Sequence, residues 1–475
     1  MLISNRMIML KYYSNRIFFY TLCCGMMFLS SCSKELDLLP SDSFDDSRAF
    51  NTVEDLNGGL IGVYASLGTE VISNVSLTSD ECNLPKENST GRGIGTYRWQ
   101  YDGSSGTITA GWGSNYTSID MVNRALNQVD KVKTRPAEEN LKKQYKGEML
   151  ALRAYCHFEL LRNFASVYES NGMGVPYMEI SQVSRPSRLS FGATIEKIKA
   201  DLLAAKTLIP ASFDDRTRIT LIAVSAIQAR VALYEKNWDD ALKYSTEVID
   251  AAPLANRGTF PLIWKDKAED EVIWKLKRVS GDSRLGDFYY DTDDVVLYAP
   301  AFELINTYDQ VNDIRYAAYI KFDDTRGVGT SNYSVNKYLE GSTGRTNLCD
   351  VKLYRTGEMY LIRAEAYAGK QNLPLAGKDL NTLRATRITG YTDIVFSDQV
   401  SLKNAIVQER YKELAFEGHR FFDLRRNGLP VTREPADAIN ALGSVTLTSA
   451  NKQYAYPVPN AEIRANSNVN QNPLY

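Results

Sequence analysis

The chain has 475 residues, enough for a large core in one domain or two closely packed ones. Lys and Arg number 55 against 57 Asp and Glu, a formal charge of −2 with no long basic block, which argues against nucleic acid as the partner. Histidine occurs only at His157 and His419, each inside a helical pattern and read as structural, so an enzyme reading is weakened.

At the N-terminus, Arg6, Lys11 and Arg16 are the only charges before Cys32. An apolar run from Ile17 to Leu29 follows, too short for the roughly 20 residues a membrane-spanning helix needs. A basic segment and then such a run is the pattern of a signal peptide. It ends in Leu29-Ser30-Ser31-Cys32, which resembles a lipobox, so residues 1–31 are predicted to be a lipoprotein signal peptide and Cys32 the lipidated first mature residue. Several acyl chains on one cysteine suffice for stable anchoring. Removing the three positive charges leaves the mature chain at −5. Residues 32–45, polar and containing Pro40, read as anchor and tether. No later stretch reads as a transmembrane helix. Cys82, Cys156 and Cys349 are left without metal-ligand spacing. Cys156 reads as a small buried hydrophobe, and a Cys82–Cys349 disulfide stays open.

Helical periodicity dominates the rest. Glu148–Ala165 places Leu150, Ala154, Phe158, Leu161 and Ala165 on one face, and similar patterns occur at Ile119–Val129, Thr194–Leu208, Thr220–Tyr234, Ala241–Ile249, Gly357–Ala368 and Leu402–Phe416. Trp238-Asp239-Asp240-Ala241 opens one helix just after another, as in a tetratricopeptide unit, and Leu375-Ala376 opens a second such helix. Their spacing is irregular, so any repeats are degenerate. A strand is predicted in Glu271–Leu276. Three long segments, 84–113, 252–300 and 321–350, lack helical pattern; loops of that length on a helical scaffold are where a binding face is expected. Gly91-x-Gly93-x-Gly95 lacks the strand and helix that frame a phosphate loop and reads as a flexible loop.

Glu409, Glu413 and Glu417 recur at four-residue steps and would repel. Arg410, Arg420, Arg425 and Arg426 can offset them in a partly buried ion-pair network. The sharper alternative, Glu413 and Glu417 as a glycosidase acid pair, fits poorly because adjacent turns aim both groups the same way. Near the terminus Asn460 is a plausible N-cap for Ala461–Ala465.

Four blocks carry a family resemblance. They are ALRAYCHFELLRNF (151–164), with Gly174-Val175-Pro176-Tyr177 after it; GEMYLIRAEAYAGK (357–370), with LNTLRATR (380–387); ERYKELAFEGHRFFDLRRNG (409–428); and YPVPNAEIRANSNVNQNPLY (456–475). With the lipobox, they resemble the SusD/RagB family of Bacteroidetes nutrient-binding outer-membrane lipoproteins. The resemblance implies a mainly α fold over residues 46–475: a SusD-like helical scaffold with degenerate tetratricopeptide-type helix pairs and long loop insertions carrying minor β structure. Its N-terminal helical part spans about 46–252 and its C-terminal SusD/RagB part about 253–475.

It further implies a non-enzymatic lipoprotein without cofactor or metal, facing the cell exterior. Such a protein binds an oligosaccharide or polysaccharide and delivers it to a SusC-like TonB-dependent transporter. Ser33-Lys34-Glu35-Leu36-Asp37 loosely resembles the export tags of such proteins. A peptide ligand, a carboxylate-dependent glycoside hydrolase and a protein-binding tetratricopeptide adaptor stand as rivals. Sugar rings are gripped by rigid aromatic faces, which bind at low entropic cost. The candidates are Tyr97, Trp99, Tyr101 and Trp112 in the first long loop and Tyr289 and Tyr290 in the second, with Asn88, Arg92 and Arg98 as polar partners. If Tyr97–Tyr101 is extended, its three alternating aromatics share one face.

Overall fold

The computed structural model describes residues 49–475. The signal peptide, Cys32, the tether and Ser33–Asp37 lie outside the described residues.

Helices α1 (Val53–Ser66) and α2 (Glu70–Thr78) come first. Thr52 starts α1 with a capping box: its hydroxyl accepts from the Asp55 N–H, and the Asp55 carboxylate accepts from the Thr52 N–H. Contrary to the sequence reading, Val53–Thr78 has the length and apolarity of a membrane span. It is nonetheless broken between Ser66 and Glu70, and Leu56, Leu60, Val63, Ile72 and Val75 sit in the main core. Helices α3 (Gly106–Val129), α4 (Glu139–Phe164), α5 (Phe191–Leu208), α6 (Leu221–Glu235) and α7 (Trp238–Ala251) follow. The C-terminal half adds α8 (Thr356–Gly369), α9 (Leu373–Arg387), α10 (Gln399–Glu413) and α11 (Arg420–Arg426).

Each predicted helix is present, most with ends moved by a few residues. The exception is α3, which starts 13 residues before Ile119 and takes in Trp112. The pairs α6–α7 and α8–α9 are the tetratricopeptide-like units. Asn237 and Asn372 cap the second helix of each by accepting from Asp240 and Leu375. Gly369 at the end of α8 is required by close packing, because a Cβ there would lie 2.5 Å from the Trp238 ring. Leu361, Ala364, Ala376, Leu380, Leu402 and Ile406 form a separate core between α8, α9 and α10.

The strands form two-stranded antiparallel pairs: β1 (Cys82–Asn83) with β3 (Ala299–Pro300), β2 (Val272–Leu276) with β6 (Val351–Arg355), β4 (Ile320–Phe322) with β5 (Tyr333–Val335), and β7 (Val431–Thr432) with β8 (Thr446–Leu447). The strand predicted at Glu271–Leu276 is β2. The architecture is the mainly α scaffold with minor β structure that the resemblance implies.

The predicted ion-pair network exists with different partners. Glu409 pairs with Arg315 and Arg384, Glu413 with Arg315, Arg355 and Arg387, and Glu417 with Lys337 and Arg355. Arg410 instead pairs with Asp423, Arg420 with Asp80, and Arg426 with Glu365 and Asp423, while Arg425 donates to Tyr168 and to backbone carbonyls. Side chains from β6, α9 and the short helix Ile314–Tyr319 reach the glutamates that local spacing assigned to neighbouring arginines. Glu413 and Glu417 are thereby sealed against cations, which disfavours them as a substrate-facing acid pair. His157 is structural: it accepts from the Met178 N–H, stacks on Tyr177, and burial pushes its pKa down to about 3. Cys82, Cys156 and Cys349 are buried free thiols. Asn460 begins the short helix Asn460–Ala465 rather than capping it, and its N–H donates to the Gly103 carbonyl.

Glu81, just before β1, is fully buried and accepts from the Phe416 N–H and the Ser76 hydroxyl. Burial pushes its pKa from 4.5 up to about 8. A carboxyl raised on folding stabilises the fold most below its unfolded pKa, and that contribution is lost as pH rises towards the folded one. Glu81→Gln is therefore expected to raise the urea midpoint at about pH 8 and to change it little at about pH 5. An equal change at both pH values would count against this assignment.

Candidate functional site

The structure corrects most of the aromatic candidates. Ile94–Tyr97 is a helical turn entered through Gly91 and Gly93, both at positive φ, so the following residues do not alternate across an extended strand. Tyr97 is buried with its hydroxyl donating to the Asp437 carbonyl at 2.8 Å, and the Trp99 indole donates to the Thr78 carbonyl at 3.0 Å. The Arg433 guanidinium sits over both rings, 3.9 and 4.2 Å from their centroids. Tyr101 is buried against Tyr456 and donates to the Gln453 carbonyl. Trp112 is on α3, packed edge-on against Phe164, and Tyr289 is buried with its hydroxyl 2.9 Å from that of Ser76. These five rings are core and offer no open face. Asn88 and Arg98 are tied to backbone: Asn88 donates to the Leu297 carbonyl and Arg98 to that of Asn440.

Tyr290 and Arg92 remain, and both belong to a face where three long loops meet: 84–93, 285–297 and 322–332, with 340–347 beneath. Arg326, in the tip between β4 and β5, donates to the Glu87 carboxylate at 2.8 Å and to the Asp294 carbonyl at 2.8 Å. Its guanidinium lies 5.6 Å from the Tyr290 ring centroid. The other Glu87 oxygen accepts from the Ser331 N–H. Asn347, in the left-handed region at φ 65°, donates its amide to the Tyr290 carbonyl and to Asp287, and Arg92 donates to the Asp287 carbonyl. One ion pair, Arg326 with Glu87, thus clamps two loops, and Asn347 braces the third.

Two groups here have unmet capacity. Arg326 Nε and Asn347 Oδ1 are buried with no hydrogen-bond partner in the protein, one a donor and one an acceptor. Buried polar groups are ordinarily paired. Beside them, on β4 and β5, Phe322 is 51% exposed and packs on half-buried Tyr333. Half-exposed rings beside guanidinium, carboxylate and amide groups form a surface suited to a polyhydroxylated ligand. Arg326, Glu87 and Asn347 were not singled out in the sequence. The available signal was an arginine, Arg326, set beside Gly327 and Gly329 in the 321–350 loop. Among the described residues no three His, Cys, Asp or Glu side chains converge as metal ligands.

Comparison with known proteins agrees with this scaffold. A family model described as "SusD family" matches residues 286–475, and one described as "Starch-binding associating with outer membrane" matches residues 36–233. A SusD-like protein of Formosa agariphila is 23% identical, over 94% of this chain and 97% of its own length. The solved structure of a putative sugar binding protein from Bacteroides vulgatus superposes with a TM-score of 0.77 at 25% identity, covering 90% of this chain and 99% of that one. A SusD superfamily protein from Bacteroides thetaiotaomicron gives 0.79 at 22% identity, covering 89% and 100%. The two models together take in residues 36–233 and 286–475, and the chain belongs to the SusD/RagB family.

Proposed function

We propose that this protein is a cell-surface lipoprotein that binds an oligosaccharide or polysaccharide on the loop face around Tyr290 and passes it to a SusC-like TonB-dependent outer-membrane transporter. Lipids on Cys32 would hold it at the outer membrane, facing the exterior. The observation that carries the ligand class is the half-buried Tyr290 ring with the Arg326 guanidinium 5.6 Å from its centroid, on a loop face that also carries the exposed Phe322 ring. A sugar ring offers an apolar face to aromatic side chains and hydroxyls that both give and accept hydrogen bonds to the polar groups around them. The family description and the sugar-binding relative support the same class. No bond-making step is assigned to the protein. A peptide ligand is the rival, because a peptide amide also both gives and accepts.

The test is a screen of purified residues 33–475 against polysaccharides and peptides, repeated with Tyr290→Ala and Arg326→Ala. Glycan affinity is expected to fall roughly tenfold or more in each variant, as for central aromatic and arginine contacts. Binding of peptides alone would overturn the ligand class. Glycan binding unchanged in both variants would overturn the site. Co-purification with an outer-membrane barrel tests the delivery partner.

A further inference from the structure

A groove lies on residues that the loop face does not use. Its larger part, about 500 Å³, opens between Ser166–Glu169 after α4, the end of α11 and the last residues of the chain. Its smaller part, about 290 Å³, lies between α6 and α7 on one side and α8 and α10 on the other. Lys236, Arg426 and Asn427 line both, so the two run together. Each part is of a size that holds a few groups of an extended small ligand.

The groove is cationic in a chain whose formal charge is −2. Five cations line it, Lys236, Lys403, Arg425, Arg426 and Lys452, against two carboxylates, Glu169 and Glu365. Both Glu365 oxygens are taken by the Arg426 guanidinium, leaving Glu169, paired with Lys236 at 3.1 Å, as the exposed anion. Lys403 and Lys452 stand exposed on the rim, and Arg425 lies in the floor, 4.7 Å from the Tyr168 ring centroid. Trp238 is half-buried in the wall, seated against Gly369, where any side chain would displace the indole. Exposed Asn427, Ser449 and Asn451 add neutral hydrogen-bonding groups.

A half-buried indole, neutral polar groups and a surplus of ammonium groups along one connected groove define the occupant by its charge. We propose that this groove is a second ligand site, for an anionic glycan whose carboxylate or sulfate groups meet Lys236, Lys403 and Lys452 while a ring lies on Trp238. This rests on the carbohydrate-binding reading above and extends it to charged chains.

The test uses residues 33–475 with three probes: neutral laminarin, carboxylated polygalacturonate and sulfated carrageenan. At least one anionic probe is expected to bind, weakening as salt rises from about 50 to about 500 mM. Replacing Lys236, Lys403 and Lys452 together with Gln should weaken it about tenfold, leave laminarin binding and the melting temperature unchanged, and be mirrored by Trp238→Phe keeping and Trp238→Ala losing affinity. The two anionic arms tell carboxylate from sulfate. Laminarin binding with neither anionic glycan bound would overturn this second site alone. So would anionic binding that the triple variant leaves unchanged, or binding displaced by an acidic peptide and by no glycan. Failure of every glycan would overturn the carbohydrate-binding reading as well.

Discussion

Glu413→Ala is expected to destabilise the fold by about 3–5 kcal/mol, the usual cost of breaking a buried ion pair and stranding its partner. Here the stranded groups are three guanidiniums. Arg315, Arg355 and Arg387 all reach Glu413, at 3.0 Å each, and all four side chains are essentially without solvent contact. Glu271 and Glu417 would still hold Arg355, and Glu271 Arg387, so the three cations would repel with fewer anions between them. Glu413→Gln, which keeps the shape and loses the charge, separates electrostatics from packing. A urea midpoint unmoved in both variants would refute the network's role. The same cluster sets an acid limit. Burial alone would raise the Glu409 carboxyl, but Arg315 and Arg384 outweigh it and hold it down at about 2. Glu413 is lowered in the same way, with burial outweighed by Arg387, Arg355 and Arg315. Carboxyls lowered on folding contribute stability that is present above their unfolded pKa and lost as pH falls through the folded one. Stability should therefore fall below about pH 4.5, and less steeply in Glu413→Gln than in the parent protein.

Arg433→Met is expected to cost on the order of 4 kcal/mol, because it strips the donor from several buried carbonyls at once. Arg433 donates to the carbonyls of Leu77, Ser79, Tyr97 and Ser444, with the shortest contacts at 2.8 Å. Methionine fills much of the same volume between Tyr97 and Trp99 but offers no N–H. Arg433→Lys should recover only part of the loss, since one ammonium cannot span carbonyls on both sides of the rings. Chemical denaturation followed by tryptophan fluorescence reads both effects, and a full rescue by lysine would show that charge alone matters.

These two clusters mark where sequence reasoning reached and where it stopped. Helices α4 to α7 and α8 were legible because their apolar periods are local. Helices α1 and α2 were passed over, because Gly58, Gly59, Gly62 and Gly68 dilute a pattern that tertiary burial makes worthwhile. The glutamate ladder was legible as a network, but its partners lie on β6, α9 and the short helix Ile314–Tyr319, beyond any helical spacing. Tyr97 and Trp99 looked like a binding surface because alternating aromatics in a Gly-rich stretch fit one equally well. What buries them is Arg433, 336 positions from Tyr97 along the chain. On the proposed loop face, Tyr290 and Arg92 had been singled out by residue type. Arg326, Glu87 and Asn347 matter through contacts that only the assembled loops create.

The Arg433 clasp also bears on the order in which the chain can fold. During synthesis the 77–99 segment emerges long before residue 433, so its carbonyls and rings wait without their partner while most of the polypeptide is made. Contacts closed over such long separations form late and leave apolar surface uncovered in the interim. Emergence of the segment around residue 433 then becomes the committing event for the N-terminal aromatic segment. A chain stalled or truncated before residue 433 should be a preferred substrate for chaperones and proteases.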